Sequence, residues 1–178
     1  MKNSMKRKKN SSIFMQLFQI KGKHAEMIRN LADVLSCRNL DIFYLAIVLG
    51  LEYKRTANID LNTEKVQPAK IDPEQMIRYN DDIQFFYKMV MLADKDYCPS
   101  AQTRMDKAFR DDIQTKEEDE THFIKVMLGG LEFLNERIKL TTTPDKKGLF
   151  YRLYDMIEEF KDKHPNITED SFVSKQDI

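Results

Sequence analysis

A chain of 178 residues that is 42% hydrophobic and 33% charged has the balance of a folded globular protein, which excludes a disordered chain and an integral membrane protein. The formal net charge of zero hides an uneven division. Residues 1–55 carry 11 Lys and Arg against 4 Asp and Glu, whereas residues 56–178 carry 18 against 25. Such an asymmetry predicts two surfaces with different partners, one of them anionic.

The two cysteines and the apolar runs indicate the cellular setting. Cys37 and Cys98 are too few for a disulfide framework or a multi-cysteine metal site, so we expect reduced thiols. The longest unbroken apolar run, Ile42–Leu51, has ten residues, whereas a helix that crosses a bilayer needs about 20. We therefore expect a cytoplasmic protein without a membrane segment.

The first part of the chain predicts a basic arm, a strand and two helices. Residues 1–12 are basic and polar without an apolar period, and we expect them to be disordered. Residues 13–20 are rich in Phe, Ile and Leu, which favours a short strand, although the front of a helix would also suit them. Residues 23–35 have apolar positions at helical spacing, and Asn39 is placed to cap a second helix over residues 40–53.

The second of these helices is apolar on every side between Ile42 and Leu51. A helix with this pattern is expected to be buried on most of its surface, either at the centre of a bundle or across a dimer interface. Gly50 would let a neighbouring backbone approach it closely.

The remaining sequence predicts an acidic helical bundle. Residues 56–71 contain Pro68 and have no sustained period, which predicts a loop and the best domain boundary, because the charge changes sign there. The helices expected beyond this loop run from Asp72-Pro73 to the break at Cys98, from Ser100 to Phe109, from Glu117 to Lys139 and from Thr143 to the residues before Pro165. The first of them carries an apolar stripe of Ile83, Phe86, Tyr87 and Val90.

Two glycines interrupt the longest predicted helix. Gly129 and Gly130 each cost about 1 kcal/mol relative to alanine in a helix interior, so we expect a close helix contact to compensate. The apolar period of this helix predicts six core positions, which are Phe123, Ile124, Met127, Leu131, Leu134 and Ile138. The last helix is expected to place Phe150, Leu153, Ile157 and Phe160 on one side.

Together these segments predict a mostly α-helical fold, a bundle of about six helices with a short N-terminal strand-helix-helix element. The expected parts are a disordered basic arm at 1–12, the strand-helix-helix element at 13–55, an acidic helical bundle at 56–163 and a disordered tail at 164–178. The same parts would also suit one compact domain.

The element order of residues 13–54 resembles that of the ribbon-helix-helix family of DNA-binding proteins. It is also similar to that of the small DNA-binding protein of bacterial DNA-sulfur-modification systems. The resemblance covers about a quarter of the chain and rests on element order and length, not on a motif. In ribbon-helix-helix proteins, strands from two chains pair and read bases in the major groove. The resemblance implies that Gln16 and Gln19 contact bases, for which glutamine suits adenine, and that Lys21 and Lys23 lie near phosphate.

The apolar residues of the strand leave a second interpretation open. Both of its faces are apolar, through Phe14, Met15, Leu17, Phe18 and Ile20. A surface that faces a groove should be more polar, so the strand could instead be buried against the acidic remainder of the chain.

The basic arm is a separate candidate for contact with nucleic acid. Besides Lys2, its cations are Lys6, Arg7, Lys8 and Lys9. Such a cluster binds phosphate in any sequence context, with an affinity that falls as salt rises. The alternative is that the charged terminus only keeps the chain in solution.

One spacing in the chain matches a nuclease pattern. Asp41 and Glu52-Tyr53-Lys54 are spaced as in Asp…Glu-x-Lys nucleases, in which two carboxylates bind Mg²⁺ and the lysine helps to position water. That chemistry requires a strand over residues 42–54, where the sequence favours a helix. We therefore expect no metal site here.

The other candidate chemistry is sparse. The histidines, His24, His122 and His164, have no partner at ligand spacing. Asp94 with Asp96 is one of several acidic pairs that capping and solvation explain. No residues are therefore predicted to be catalytic, and no cofactor is expected.

The sequence thus predicts a non-catalytic accessory or regulatory subunit of bacterial or phage type. It would associate with nucleic acid, such as DNA, or with a nucleic-acid-processing assembly, through its basic N-terminal region, while the acidic bundle engages a protein partner or a second copy. The first alternative is a protein–protein interaction module, such as a subunit or inhibitor in a bacterial defence or phage system, without DNA contact. Its 10 Met, 11 Phe and 7 Tyr residues offer adaptable apolar surface. The distant alternative is a metal-dependent nuclease.

Overall fold

The computed structural model describes residues 19–62, 66–71, 73–109, 117–138 and 146–166. Within these ranges the chain is mostly α-helical, with one two-stranded sheet and six helices longer than the six-residue α3, which confirms the predicted fold class. In chain order the elements are β1 Gln19–Ile20, α1 Gly22–Leu35, α2 Asn39–Glu52, β2 Ala69–Lys70, α3 Pro73–Arg78, α4 Asn80–Ala93, α5 Ala101–Phe109, α6 Glu117–Ile138 and α7 Lys146–Lys163.

The first two helices lie close to their predicted bounds. α1 ends where Ser36 adopts a left-handed conformation with φ of 53°. α2 begins at Asn39 itself, so the prediction that Asn39 caps this helix is wrong by one residue. Arg38 precedes the helix instead, and its backbone N–H donates to the Asp41 carboxylate at 2.9 Å. The Asn39 amide is used elsewhere, because it donates to the carbonyl of Lys70 at 3.3 Å.

The predicted loop over residues 56–71 contains a strand that the sequence analysis missed. β2 pairs antiparallel with β1, with Gln19 opposite Lys70 and Ile20 opposite Ala69. Ile20 and Ala69 are buried, whereas Gln19 and Lys70 face solvent. A strand of two residues is too short to show an alternating pattern in the sequence.

Two glycines allow α2 to cross α6 at very short range. A Cβ atom on Gly130 would overlap the carbonyl oxygen of Ala46, and one on Gly50 would overlap the carbonyl oxygen of Val126. Both contacts are with backbone, so no side chain could move aside. This crossing confirms the close approaches predicted at Gly50 and at Gly130.

Gly129 serves a different neighbour. A Cβ atom there would overlap the backbone of Arg55 and Thr56. The chain that follows α2 therefore lies directly on α6, and it is fixed there by a hydrogen bond from the N–H of Ala57 to the carbonyl of Lys125 at 2.9 Å. The compensation at Gly129 is thus contact with a connecting segment, not with a helix.

The core forms around α2 and α6. Phe43 of α2 and Tyr87 of α4 both meet Phe123 of α6 edge to face, with ring centroids 6.0 and 5.7 Å apart. Such pairs contribute somewhat more than their buried area alone. The largest of the fully buried side chains include Ile28, Leu31, Leu40, Ile42, Phe43, Ile47, Ile71, Ile83, Met91, Phe123 and Met127.

The predicted burial of α2 is only partly correct. Leu45 and Val48 are 38% and 40% exposed, so one side of this apolar helix faces outward. Beside that side, Tyr44 stacks on the half-buried Phe86 of α4 at 4.7 Å. The helix therefore belongs to the core but keeps one open side.

The single helix predicted between Asp72 and Cys98 is two helices. α3 ends at Arg78, and after Tyr79 the chain continues as α4. Ile83, Tyr87 and Val90 of the predicted stripe are buried. Asp72, the predicted cap, lies outside the described residues.

The next two helices agree with the predictions. Ser100 caps α5, since its hydroxyl accepts the N–H of Thr103 at 3.3 Å. α6 runs from Glu117 to Ile138, and its predicted core positions are buried except for Ile124, which is half-buried.

α7 ends before Pro165, as predicted. Of the four residues predicted to share one side, Phe150 and Ile157 are 67% and 53% exposed. Leu153 and Phe160 are half-buried. The predicted start at Thr143 lies outside the described residues.

The chain divides into two compact units, one through Leu134 and one from Asn135. The boundary predicted at 56–71 falls within the first unit. The predicted arm, residues 1–12, lies outside the described residues, as does most of the predicted tail.

No single helix among the described residues is both long enough and apolar enough to cross a bilayer. Only α1 and α2 taken together meet the two criteria, and this pair is bent by 107°.

Candidate functional site

Three of the residues predicted to contact nucleic acid lie together at the start of α1. Gln19 is on β1, and Lys21 and Lys23 flank the glycine at which the helix begins. The other predicted residues, Lys6, Arg7, Lys8, Lys9 and Gln16, lie outside the described residues. Their role stays a prediction.

The outer face of the β1–β2 ribbon is polar. Gln19 is exposed directly opposite the exposed Lys70, while the next pair, Ile20 with Ala69, points into the core. The described end of the strand therefore has one polar and one apolar face. Lys70 was not among the predicted residues, because it lies in the segment interpreted as a loop.

The start of α1 is stabilised by a carboxylate from a distant loop. Gly22 adopts φ of 59°, and the N–H of Lys23 donates to Asp60 Oδ2 at 3.0 Å. Asp60 Oδ1 accepts the N–H of Asn62 at 2.9 Å. These two hydrogen bonds lower the pKa of Asp60, so it is an anion that already occupies the helix N-terminus.

Lys23 is not a free cation. Its Nζ lies 2.7 Å from Glu132 Oε1, and the same oxygen lies 2.9 Å from Nε2 of His24. His24 is only 1% exposed, and its Nδ1 has no hydrogen-bond partner within the described residues. Burial alone would raise the pKa of Glu132, but hydrogen bonds from Lys23 and His24 outweigh it and lower that pKa.

A second polar site, which the sequence analysis did not predict, lies on the other side of α6. It is a cleft of about 480 Å³ between the end of α2, the following chain at residues 54–56, the turn at residues 93–97 and α6. The side chains that give it chemistry are Lys54, Arg55, Asp94, Lys95, Asp96, Tyr97 and His122.

Asp94 organises one edge of this cleft. Its Oδ1 accepts the backbone N–H groups of Asp96 at 3.1 Å and Tyr97 at 3.0 Å, which is the capping role predicted for it. Its Oδ2 lies 2.9 Å from Nε2 of His122. With the carboxylate ionised, Nε2 carries the proton and donates it, so the imidazole orientation is fixed.

Tyr97 connects the cleft to a buried acid. Its ring stacks on His122 with centroids 3.7 Å apart and planes inclined by 4°. Its hydroxyl donates to Asp119 Oδ1 at 2.6 Å, and Lys107 donates to the same oxygen. Asp119 is only 2% exposed. Burial and the hydrogen bond to Asp119 raise the pKa of Tyr97, so the phenol stays protonated at neutral pH.

The cations of the cleft are placed at its rim. Lys54 adopts a left-handed backbone with φ of 50°, and its Nζ lies 3.0 Å from Asp96. The ammonium group of Lys95 is exposed and has no partner within the described residues. Asp94 and Asp96 are thus both engaged, whereas Lys95 is available.

Only one part of this cleft, the turn that contains Asp94 and Asp96, could be predicted from the sequence. The spacing of Asp94 and Asp96 correctly indicated a capped turn. Nothing in the local pattern pointed to His122, which lies 28 residues later and reaches Asp94 only because α4 and α6 pack together.

The nuclease pattern does not assemble in the structure. Residues 42–52, which that chemistry needs as a strand, are helical, and Asp41 and Glu52 lie at opposite ends of α2. Eleven residues of helix separate carboxylates by about 16 Å along the axis, too far for one ion. Asp41 is paired with Arg38 at 2.7 Å instead. Among the described residues no group of three or more His, Cys, Asp or Glu side chains is placed to hold a metal.

Because comparison with known proteins found no match, the function has to be inferred from the fold and from these two sites. No family model, no curated protein and no solved structure matches this chain significantly.

Proposed function

We propose that this protein is a non-catalytic accessory subunit that associates with nucleic acid through its basic N-terminal region. The observation that supports this most is the outer face of the ribbon, where the amide of Gln19 and the ammonium group of Lys70 stand opposite each other, both exposed. An amide suits a base edge and an ammonium group suits a phosphate.

The surrounding charge favours the same partner. The half-buried Lys21 directly follows β1, and the preceding chain adds five Lys and Arg within its first nine residues. A two-stranded ribbon is narrow enough to enter a major groove. The ribbon here forms within one chain, so a second chain is not required to complete it.

Two substitutions on the ribbon test this proposal. Lys70→Gln removes one cation that faces phosphate and should weaken binding several-fold on every sequence while lowering the salt slope by about 1. Gln19→Ala should instead reduce the preference between sequences, since an amide carries base recognition. Fluorescence anisotropy with short duplexes of two sequences, titrated at two salt concentrations, measures both effects.

Lys161→Gln is the matched control, because Lys161 is an exposed lysine on α7 that is paired with Glu158 at 3.1 Å. Binding by this variant should equal that of the wild type. If Lys70→Gln and Lys161→Gln lose affinity equally, the loss reflects net charge alone, and this result would contradict a binding site on the ribbon.

One observation favours a protein-interaction module as the second candidate. Phe85, Met105 and Phe109 are 63%, 50% and 54% exposed on α4 and α5, and Lys88 lies over the Phe109 ring at 5.6 Å. Large exposed apolar side chains in one area are typical of a protein interface. Under this alternative the wild type and all ribbon variants would fail to bind duplex or single strands even at low salt.

A further inference from the structure

We propose that the cleft beside His122 is a binding site for a phosphate ester of mononucleotide size. This goes beyond nucleic-acid association by the ribbon, because neither Gln19 nor Lys70 lines the cleft. Its volume, about 480 Å³, lies within the range of about 300–1,000 Å³ that small-molecule sites occupy.

The lining of the cleft combines apolar residues with an aromatic pair. The apolar residues are Gly50, Leu51, Ala93 and Val126. The aromatic pair is the stacked pair of Tyr97 and His122. Apolar walls with a few convergent polar groups are the usual composition of a ligand site.

The polar side chains of the wall are held before any ligand arrives. Nε2 of His122 is fixed by Asp94, and the Tyr97 hydroxyl is fixed by the buried Asp119. Binding would therefore cost little ordering of these groups. The other ring nitrogen of His122, Nδ1, makes no hydrogen bond within the described residues, and because Nε2 carries the proton, Nδ1 can accept one from a hydroxyl or amino group of the ligand's sugar or base.

The charges of the cleft favour an anion over a cation. The Asp94 carboxylate accepts from two backbone N–H groups and from His122, and Asp96 is paired with Lys54. Lys95 contributes an ammonium group without a partner in the described part of the chain. An exposed ammonium group at the rim of a cleft is suited to a phosphate group.

Isothermal titration calorimetry with adenosine 5′-monophosphate tests the site on the full-length protein. We expect saturable binding of this nucleotide, weaker binding of inorganic phosphate, and no measurable binding of adenosine. Lys95→Gln should weaken the affinity about fivefold, as expected when one charge-assisted hydrogen bond is removed at a solvent-exposed rim. Because Lys95 is exposed, this variant should fold as the wild type does.

His122→Gln tests the imidazole and should also weaken nucleotide binding, and its helical circular dichroism at neutral pH establishes that it folds. Lys70→Gln is the control, because it should leave nucleotide binding unchanged even where it weakens duplex binding. A loss of duplex binding by the ribbon can therefore be distinguished from a loss of nucleotide binding by the cleft.

An oligonucleotide with and without a 5′-phosphate distinguishes a free nucleotide from a strand end. Preference for the phosphorylated end, abolished in Lys95→Gln, would identify strand ends as the source of the ligand. Preference for the free nucleotide would identify a small molecule. Equal affinity for nucleotide and adenosine, or an unchanged affinity in Lys95→Gln, would overturn the proposal.

Discussion

His24 and Asp119 are the two buried polar or charged side chains of the described residues, and each has a partner from a distant part of the chain, although Nδ1 of His24 has none among these residues. His24 is paired with Glu132, and Asp119 accepts from Tyr97 and Lys107. A buried polar group without such a partner costs about 1–3 kcal/mol. These pairs therefore fix which faces of α1, α5 and α6 meet, besides contributing to stability.

The pair of His24 and Glu132 yields a stability prediction. Glu132→Gln replaces the carboxylate with a neutral amide and should lower the free energy of unfolding by about 1–3 kcal/mol at pH 7. Urea unfolding measures this decrease. Glu26→Gln, at an exposed position of α1, is the control and should change stability by less than about 0.5 kcal/mol.

Glu132→Gln should also change how the free energy of unfolding falls at acidic pH. The pKa of Glu132 is lowered in the folded chain, so its contribution is present above the unfolded pKa, about 4.3, and is lost as pH falls through the folded value. Between pH 5 and 3 the wild type should therefore lose more stability than Glu132→Gln. Parallel curves for the two proteins would show that the ion pair does not stabilise the fold.

At the scale of elements, the crossing of α2 and α6 decides how the first unit packs. Two glycines allow it, and the atom that a Cβ would meet first at each is a backbone carbonyl oxygen. A residue with a Cβ atom at either position would have to push the helices apart. The close crossing therefore requires residues without a Cβ atom at both glycine positions.

Gly130→Ala is the direct test of that crossing. Alanine favours an isolated helix by about 1 kcal/mol over glycine, but its Cβ would overlap the carbonyl oxygen of Ala46. We expect a net decrease in stability of about 3 kcal/mol, the upper part of the range for overpacked cores. Thermal unfolding measures it. Asn30→Ala, on the exposed side of α1, should be neutral or stabilising, and a stabilised Gly130→Ala would contradict the close crossing.

The same elements show what the sequence could predict. The bounds of α1, α5 and α6 followed from apolar period and capping residues, which are local properties. Gly50 and Gly130 were informative because glycine in a helix interior is unfavourable unless a neighbour needs the space. A helix is thus most predictable where its apolar period and its terminal residues agree.

The missed features depend on contacts between distant segments. β2 has two residues and forms only because β1 is beside it. His122 joins Asp94 across 28 residues. On α7 an apolar period is present, but Phe150 and Ile157 face solvent. A period identifies the side of a helix that can be buried, and only the whole fold decides whether anything covers it.

At the scale of the whole molecule, charge is distributed unevenly along the chain. The N-terminal third carries the excess of cations, whereas the helices beyond residue 56 carry the excess of carboxylates. The described cations of the first part are partly neutralised, as Lys23 is by Glu132 and Arg38 is by Asp41. What remains exposed on the ribbon is Lys70 with Gln19, and the basic arm supplies the other cations.

The salt dependence of nucleic-acid binding tests this account most directly. Fluorescence anisotropy at about 50 and 200 mM salt should show binding by the full-length chain that weakens steeply as salt rises. Replacement of Lys6, Arg7, Lys8 and Lys9 with glutamine should lower the salt slope by about 0.9 for each phosphate that is no longer neutralised. The account would be contradicted if the full-length chain bound neither duplex nor single strands at the lower salt. It would also be contradicted if the glutamine variant kept the salt slope of the wild type.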